Sequence, residues 1–354
     1  MNSLVHGGDW AGFQLEYGGP PLDFSSNVSP LGVPERVRDA AARALSAADR
    51  YPDPLCRELR GAISQAEQVP ADWCLCGCGS ADLIFRAVLA RRPQRALVTA
   101  PTFGEYGAAL ALVGCRVEQY PLGEENGFVL REDFLDAITP ETDMVFLCEP
   151  NNPTGRTTPG PLLLSAVEQC AEVGALLIVD ECFGGFLRDP DAHTLRGMLG
   201  EYPNLLILKA FTKLYALAGL RLGYCLSSSG PLLEAMALAG QPWGVSIPAQ
   251  AAGVAALAEH GYVRQVRALI AAERPRLASA LAGLGFRVIP GEANYLLFRT
   301  PLSLLEPLRR RGILLRGCGN YCGLDGSWYR TAVRTGEENR RLAAALTEIV
   351  KEGN

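Results

Sequence analysis

At 354 residues, 48% of them hydrophobic, the chain can bury one large core or two moderate ones, which excludes disorder as its default state. A formal net charge of −5 excludes nucleic-acid binding through a basic surface. No apolar stretch reaches the roughly 20 residues of a membrane-spanning helix, and residues 1–20 lack the apolar segment of a signal peptide, so a soluble, cytoplasmic protein is expected.

In chain order, a Gly77-Cys78-Gly79-Ser80-Ala81 turn introduces a helix over residues 81–90. A short apolar run over 96–99 follows, then a helix over 105–113. Further apolar runs at Met144–Cys148, Leu176–Asp180, 205–208 and 221–226 are each bounded by polar, Gly or Pro residues and read as buried strands, with a helix over 162–173 between the first two. Buried strands alternating with amphipathic helices predict an α/β fold with a mostly parallel sheet. After Gln241 the pattern changes to Ala- and Leu-rich helices over 248–260 and 262–284, then short strands near Val288, at 295–298 and at 329–334. This predicts an N-terminal segment (1–33), a large domain (34–240) and a smaller C-terminal α/β domain (241–354), the domains sharing a long helix.

Eleven cysteines are scattered along the chain. Cys74, Cys76 and Cys78 alternate along an extended segment, a spacing unlike the paired ligands of structural zinc sites, and Cys318 and Cys322 lack a second ligand pair nearby. His6, His193 and His260 lie far apart in sequence, and no metal site is expected.

In an open α/β sheet, ligands bind beyond the carboxyl ends of the strands. Four places there carry polar residues: residues 149–155 (Glu-Pro-Asn-Asn-Pro-Thr-Gly), Asp180-Glu181, residues 209–213 ending in Lys213, and the turn at 77–81. Taken singly, each has an ordinary structural explanation. A Gly-x-Gly turn can be only a turn, an Asp closing a strand only a helix cap, and a lysine after an apolar run only a solvated side chain. A dinucleotide-binding fold would need a Gly-x-Gly-x-x-Gly turn after its first strand, with an acidic residue about 20 positions on, and the chain lacks that arrangement.

Together with Gly219-Leu220-Arg221-Leu222-Gly223-Tyr224, the four places resemble, in order and spacing, the fold-type I pyridoxal-phosphate enzymes, the aspartate aminotransferase superfamily. The resemblance implies pyridoxal 5′-phosphate as cofactor, with Lys213 carrying its aldehyde as a Schiff base and serving as proton carrier. It also implies that Asp180 pairs with the ring nitrogen, Asn152 bonds the ring oxygen and Phe103 stacks on the ring. Gly79, Ser80 and Ala81, at a helix start, together with Thr212 and Arg221, surround the phosphate. Tyr51 reaches that phosphate from a second subunit, so a homodimer is implied. Two positions depart from the pattern: Ala210 stands where relatives carry a hydroxyl, and Phe183, beside the ring, where many carry a tyrosine.

Within the superfamily the chain resembles the histidinol-phosphate aminotransferase-like branch over nearly its whole length. That likeness is carried by His6-Gly7-Gly8, residues 23–32, Arg50-Tyr51-Pro52-Asp53, Gln241-Pro242-Trp243, Ala293-Asn294-Tyr295, residues 313–316, Asn320-Tyr321 and Tyr329-Arg330. It implies a phosphorylated amino-acid substrate whose two anionic ends meet His6, Gly7, Gly8, Asn27, Asn152, Arg316 and Arg330. Read from the residues alone, the two arginines could instead form surface ion pairs, and His-Gly-Gly could be a solvated terminus. The implied activity is decarboxylation of L-threonine O-3-phosphate for cobalamin synthesis, with L-serine O-phosphate as a close variant substrate, or transamination of the histidinol-phosphate type.

Overall fold

In a computed structural model, which describes residues 6–353, the unbroken apolar runs become the centre of a seven-stranded sheet. Its strands are β2 (Cys74–Gly77), β3 (Arg95–Ala100), β4 (Arg116–Pro121), β5 (Met144–Cys148), β6 (Leu176–Asp180), β7 (Leu205–Ala210) and β8 (Gly223–Leu226); β1 (Leu22–Asp23) lies elsewhere. The spatial order is β2-β8-β7-β6-β5-β3-β4, and β8 alone runs against its neighbours. β5 and β6 are buried at every residue because helices cover both faces of a parallel sheet.

The two faces divide the strand residues by parity, as a two-residue repeat requires. Leu177, Val179, Leu205 and Ile207 pack with α3 (Arg57–Glu67) and α6 (Gly160–Val173). Leu176, Ile178, Leu206 and Leu208 pack with α4 (Ser80–Arg91), α5 (Glu105–Leu112) and α8 (Gly230–Leu238). By the same parity Asp180 faces α5 and Lys209 faces α3, so the sheet sorts the charged residues at its carboxyl edge to opposite sides.

Two strands had no signal in the apolar pattern. β4 is an edge strand with no buried side chain, and its composition, Arg-Val-Glu-Gln-Tyr-Pro, is polar. β2 pairs antiparallel with β8 and is built largely from cysteine. The strand expected from Arg221 starts two residues later, because Arg221 has a positive φ of 54° that no strand accommodates.

Past the large sheet, α9 (Ile247–Leu257) follows residue 240 yet packs on α2 (Glu35–Ala44) and α3, its Ala249, Ala252 and Ala256 sharing the core of the large sheet. The long helix α10 (His260–Gly283) instead joins α12 (Gly336–Gly353) over a second core. That core backs an antiparallel sheet, in the order β12 (Arg316–Gly317), β13 (Trp328–Ala332), β10 (Tyr295–Arg299), β9 (Arg287–Val288). The start of the chain is tied to this region, since β1 pairs with β11 (Ile313–Leu314), Leu22 opposite Ile313 and Asp23 opposite Leu314. Among the described residues no helix is long and apolar enough to cross a membrane.

Candidate active site

A cavity of about 910 Å³ opens where the carboxyl edge of the large sheet meets the small sheet and the start of the chain. Ser80, Ala81, Phe103, Asn152, Asp180, Phe183, Thr212, Lys213 and Arg221 line it, as do His6, Gly7, Gly8, Asn27, Arg316 and Arg330. Residues up to 328 positions apart in sequence, His6 and Arg334, thus share one chamber, with the first group supplied by the strand ends and the turns that follow them and the second by the N-terminal segment and small sheet.

Asp180 closes β6 and is buried. The Tyr106 hydroxyl donates to its Oδ2 at 2.8 Å and the Cys182 N–H donates to its Oδ1 at 3.1 Å. Those bonds hold the carboxylate at a fixed angle, and burial together with the Asp180 charge raises the Tyr106 phenol well above its ordinary range, so it stays a donor. Lys213 sits in the one-turn α7 (Phe211–Leu214) immediately after β7, with Nζ 5.4 Å from the Phe183 ring centroid. Burial, and after it the Arg330 charge, bring the Lys213 amine down to about 8. A lysine poised there exchanges its proton near neutral pH and is partly a free nucleophile.

The turn before α4 is a cradle fitted to Arg221. Gly79, its N-cap, has φ +86°, and a Cβ there would stand 2.6 Å from Arg221 Nη2, so only glycine lets the guanidinium lie against the helix start. Backbone N–H groups at a helix N-terminus beside a guanidinium make a site for a phosphate.

Arg316 and Arg330 are register partners on β12 and β13, both buried and both facing the cavity. Arg330 donates from Nη1 to the Asn152 Oδ1 and from Nη2 to the Ser25 carbonyl at 3.0 Å, and it lies 5.5 Å over the Tyr295 ring. Arg316 Nη2 donates to Asn320 Oδ1 at 2.8 Å and its guanidinium lies 5.4 Å from the Tyr321 ring centroid. Asn27 is 1% exposed, and neither its Oδ1 nor its Nδ2 has a hydrogen-bond partner in the protein. A buried amide in that condition is suited to bond a polar ligand. His6 bonds Glu105 Oε1 through Nε2 at 2.7 Å, its ring 6.0 Å from that of Phe103.

Tyr51 does not line this cavity. It is 77% exposed and stacks on Trp243 at 4.6 Å on the outer surface. Ala210 ends β7 outside the lining, and Phe183 packs edge-on against Tyr295 at 5.0 Å. Sequence reasoning gave no role to Tyr106, Asp23, Ser25, Glu105, Tyr321 or Arg334. Asp23, Ser25 and Tyr321 lie in segments that carried the resemblance, and Tyr106 lies in the helix expected over 105–113, but nothing local assigned any of them a contact. Those contacts depend on chain returning from afar. Among the described residues no group of three or more His, Cys, Asp or Glu is placed to hold a metal ion.

The donor set fits pyridoxal phosphate: a lysine of depressed pKa, a carboxylate locked by two donors, an aromatic wall in Phe103, and a glycine-bounded helix start beside Arg221. Residues 20–346 match the family described as aminotransferase class I and II. The chain is 38% identical over 333 residues to the threonine-phosphate decarboxylase of Salmonella typhimurium, covering 93% of this chain and 91% of that one. It is 35% identical over 339 residues to the histidinol-phosphate aminotransferase of Symbiobacterium thermophilum, covering 94% and 91%. Its fold superposes on the crystal structure of histidinol-phosphate aminotransferase from Sinorhizobium meliloti in complex with pyridoxal-5′-phosphate, with a TM-score of 0.89 at 24% identity, covering 99% and 96%.

Proposed function

The chain belongs to the aminotransferase class I and II family and is a pyridoxal-phosphate enzyme of fold type I, and we propose that it decarboxylates L-threonine O-3-phosphate to an aminopropanol phosphate and carbon dioxide. The observation that carries this reading is the pairing of Arg316 with Arg330 directly across two strands, both buried against one cavity. Like charges opposite each other destabilise a sheet, and a ligand with two anionic ends offsets that repulsion. The guanidinium fork matches both carboxylate and phosphate. The 38% identity to a threonine-phosphate decarboxylase agrees with a substrate of that charge.

Bound pyridoxal phosphate supplies an electron sink for the bond broken at the substrate's α-carbon. Lys213 would hold the cofactor aldehyde through Nζ, and the same amine, lowered to about 8, would hold a proton for the substrate's α-carbon. Asp180, locked by Tyr106 and Cys182, would pair with the ring nitrogen and keep it protonated. Phe103 and Phe183 would give the ring apolar walls, Asn152 would bond its oxygen, and Ser80, Ala81, Thr212 and Arg221 would hold its phosphate, with Gly79 leaving space for Arg221. Asn27, with both amide atoms open, binds substrate together with Arg316 and Arg330, and His6, Gly7 and Gly8 cover it, excluding water from the reacting carbon. Tyr51, which does not line the cavity of its own chain, would reach the cofactor phosphate of a second copy in a homodimer. The location is cytoplasmic and the product enters cobalamin synthesis.

The test is carbon dioxide release from L-threonine O-3-phosphate by cofactor-loaded protein, with and without 2-oxoglutarate and beside L-serine O-phosphate. Stoichiometric release without a keto acid is expected. The two substrates differ by one methyl, which a pocket separates by only about 1–3 kcal/mol, so both react at unequal rates. No release, with glutamate formed only from 2-oxoglutarate and histidinol phosphate, overturns the decarboxylase in favour of the transaminase to which the chain is 35% identical.

A further inference from the structure

Asp23 ends β1 at the cavity wall, 4% exposed, with its carboxylate fully engaged. Its Oδ2 accepts from Trp10 Nε1 at 2.8 Å and from Ser26 Oγ at 2.5 Å. Its Oδ1 accepts from the Ser25 N–H at 2.7 Å, the Ser25 hydroxyl at 2.6 Å and the Ser26 N–H at 3.2 Å. Five donors on one buried carboxylate exceed what a turn requires, and every one belongs to the segment bordering the cavity.

Ser25 passes this order on in two directions. Its carbonyl accepts from Arg330 Nη2 at 3.0 Å, and its hydroxyl, while donating to Asp23, accepts the Gly8 N–H at 2.8 Å. Gly7 lies against the same carbonyl so closely that a Cβ there would come within 2.3 Å of the oxygen. Trp10, the first residue of α1 (Trp10–Tyr17), is the second tether of the covering segment.

We infer that Asp23 is a positioning residue that fixes, through Ser25, both the guanidinium of Arg330 and the Gly7-Gly8 bend, so that anion binding and the seating of residues 7–10 at the cavity wall are set by one carboxylate. The inference rests on the reading of Arg330 as a substrate ligand. The tether itself does not depend on which reaction follows. Charge-assisted bonds in a buried hub are the strong ones. An amide in place of the carboxylate turns one acceptor oxygen into a donor that faces Trp10 or the serines, leaving donors unpaired.

The experiment is Asp23→Asn in the full-length, cofactor-loaded protein, read by hydrogen exchange and by kinetics. Expected are faster exchange in residues 7–18 with other regions unchanged, an unaltered visible cofactor spectrum, and a KM for L-threonine O-3-phosphate raised roughly tenfold or more with a smaller fall in kcat. Ser25→Ala, which keeps the carboxylate and all backbone groups, raises exchange at Gly8 and KM in the same direction by less, and serves if Asp23→Asn does not fold. Native exchange over residues 7–18 with native KM in either folded variant overturns the proposal. Exchange that rises throughout the chain, together with loss of cofactor, also overturns it by showing a general folding role. If the unaltered protein does not turn over phosphorylated amino acids, the decarboxylase reading fails by itself, and the exchange over residues 7–18 still decides whether Asp23 ties down the segment.

Discussion

Replacing Glu67 by Gln is expected to loosen the sheet edge from which Asp180 and Lys213 project. Glu67, the last residue of α3, is buried on the opposite side of the sheet from the cavity. It accepts from Lys209 Nζ at 3.1 and 2.9 Å, from Arg196 Nη1 at 3.1 Å and from the Tyr224 hydroxyl. Lys209 also lies 3.5 Å from Glu181, so α3, β7, β8 and the end of β6 are joined through two acids and two bases. Burial acts to raise the Glu67 carboxyl, but the Lys209 charge, with the Tyr224, Lys209 and Arg196 bonds, outweighs it and holds the group below its usual range. Lys209 responds in kind: burial lowers it, and the Glu181 and Glu67 charges bring it above its usual range.

Removing one member of such a buried set leaves its partners uncompensated, at a cost of about 3–5 kcal/mol. For a chain of 354 residues, an unfolding entropy near 2.1 cal/mol/K per residue turns that into a fall in Tm of roughly 4–7 °C. The assay is thermal unfolding of the holoenzyme for Glu67→Gln, Lys209→Met and the pair together. The double variant should lose less than the sum of the singles, since each single strands the other's charge. Because the folded carboxyl lies below its unfolded value, the contribution is complete above the ordinary glutamate pKa of about 4.3 and is lost as pH falls through the lower folded value. A Glu67→Gln shift within about 1.5 °C, or strict additivity of the pair, would refute this account of the network.

The remaining predictions concern the cavity. Cofactor-free protein should capture pyridoxal phosphate with a rate that rises with pH through about 8, where an unperturbed lysine would show about 10.4. Arg330→Leu should move that midpoint upward because the Arg330 charge is the second cause of the depression; an unmoved midpoint would remove Arg330 from the electrostatics of Lys213. Lys213→Ala should abolish both the visible cofactor absorption and activity. Tyr51→Ala and Lys213→Ala chains, each with an impaired site, should regain activity on mixing, since one hybrid site combines an intact Lys213 with an intact Tyr51. Mixtures no better than the separate variants would show that Tyr51 does not act across a dimer.

The legible part of this protein is the part whose signal is local. Met144–Cys148 and Leu176–Asp180 were readable to the residue because a strand buried on both faces must be an unbroken apolar run. Lys213, Asp180 and Asn152 stood out because the carboxyl edge of such a sheet is where polar residues carry function. The polar edge strand Arg116–Pro121 gave no such run and was missed. So was the left-handed backbone at Arg221, which delays the last strand of the large sheet to Gly223.

The sequence by itself determined the alternation of strands and helices and the place of the lysine and the carboxylate after successive strands, and its motifs carried the resemblance that implied the family and its cofactor. Tertiary structure alone decided that Arg316 stands opposite Arg330, that Tyr106 locks Asp180, that Asp23 ties the chain's start to the cavity, and that Tyr51 faces away from it. The reason is the range of the interactions. A strand or a turn is specified by neighbours a few residues apart, whereas the bond from Arg330 to the Ser25 carbonyl spans 305 positions and exists only once both sheets have closed.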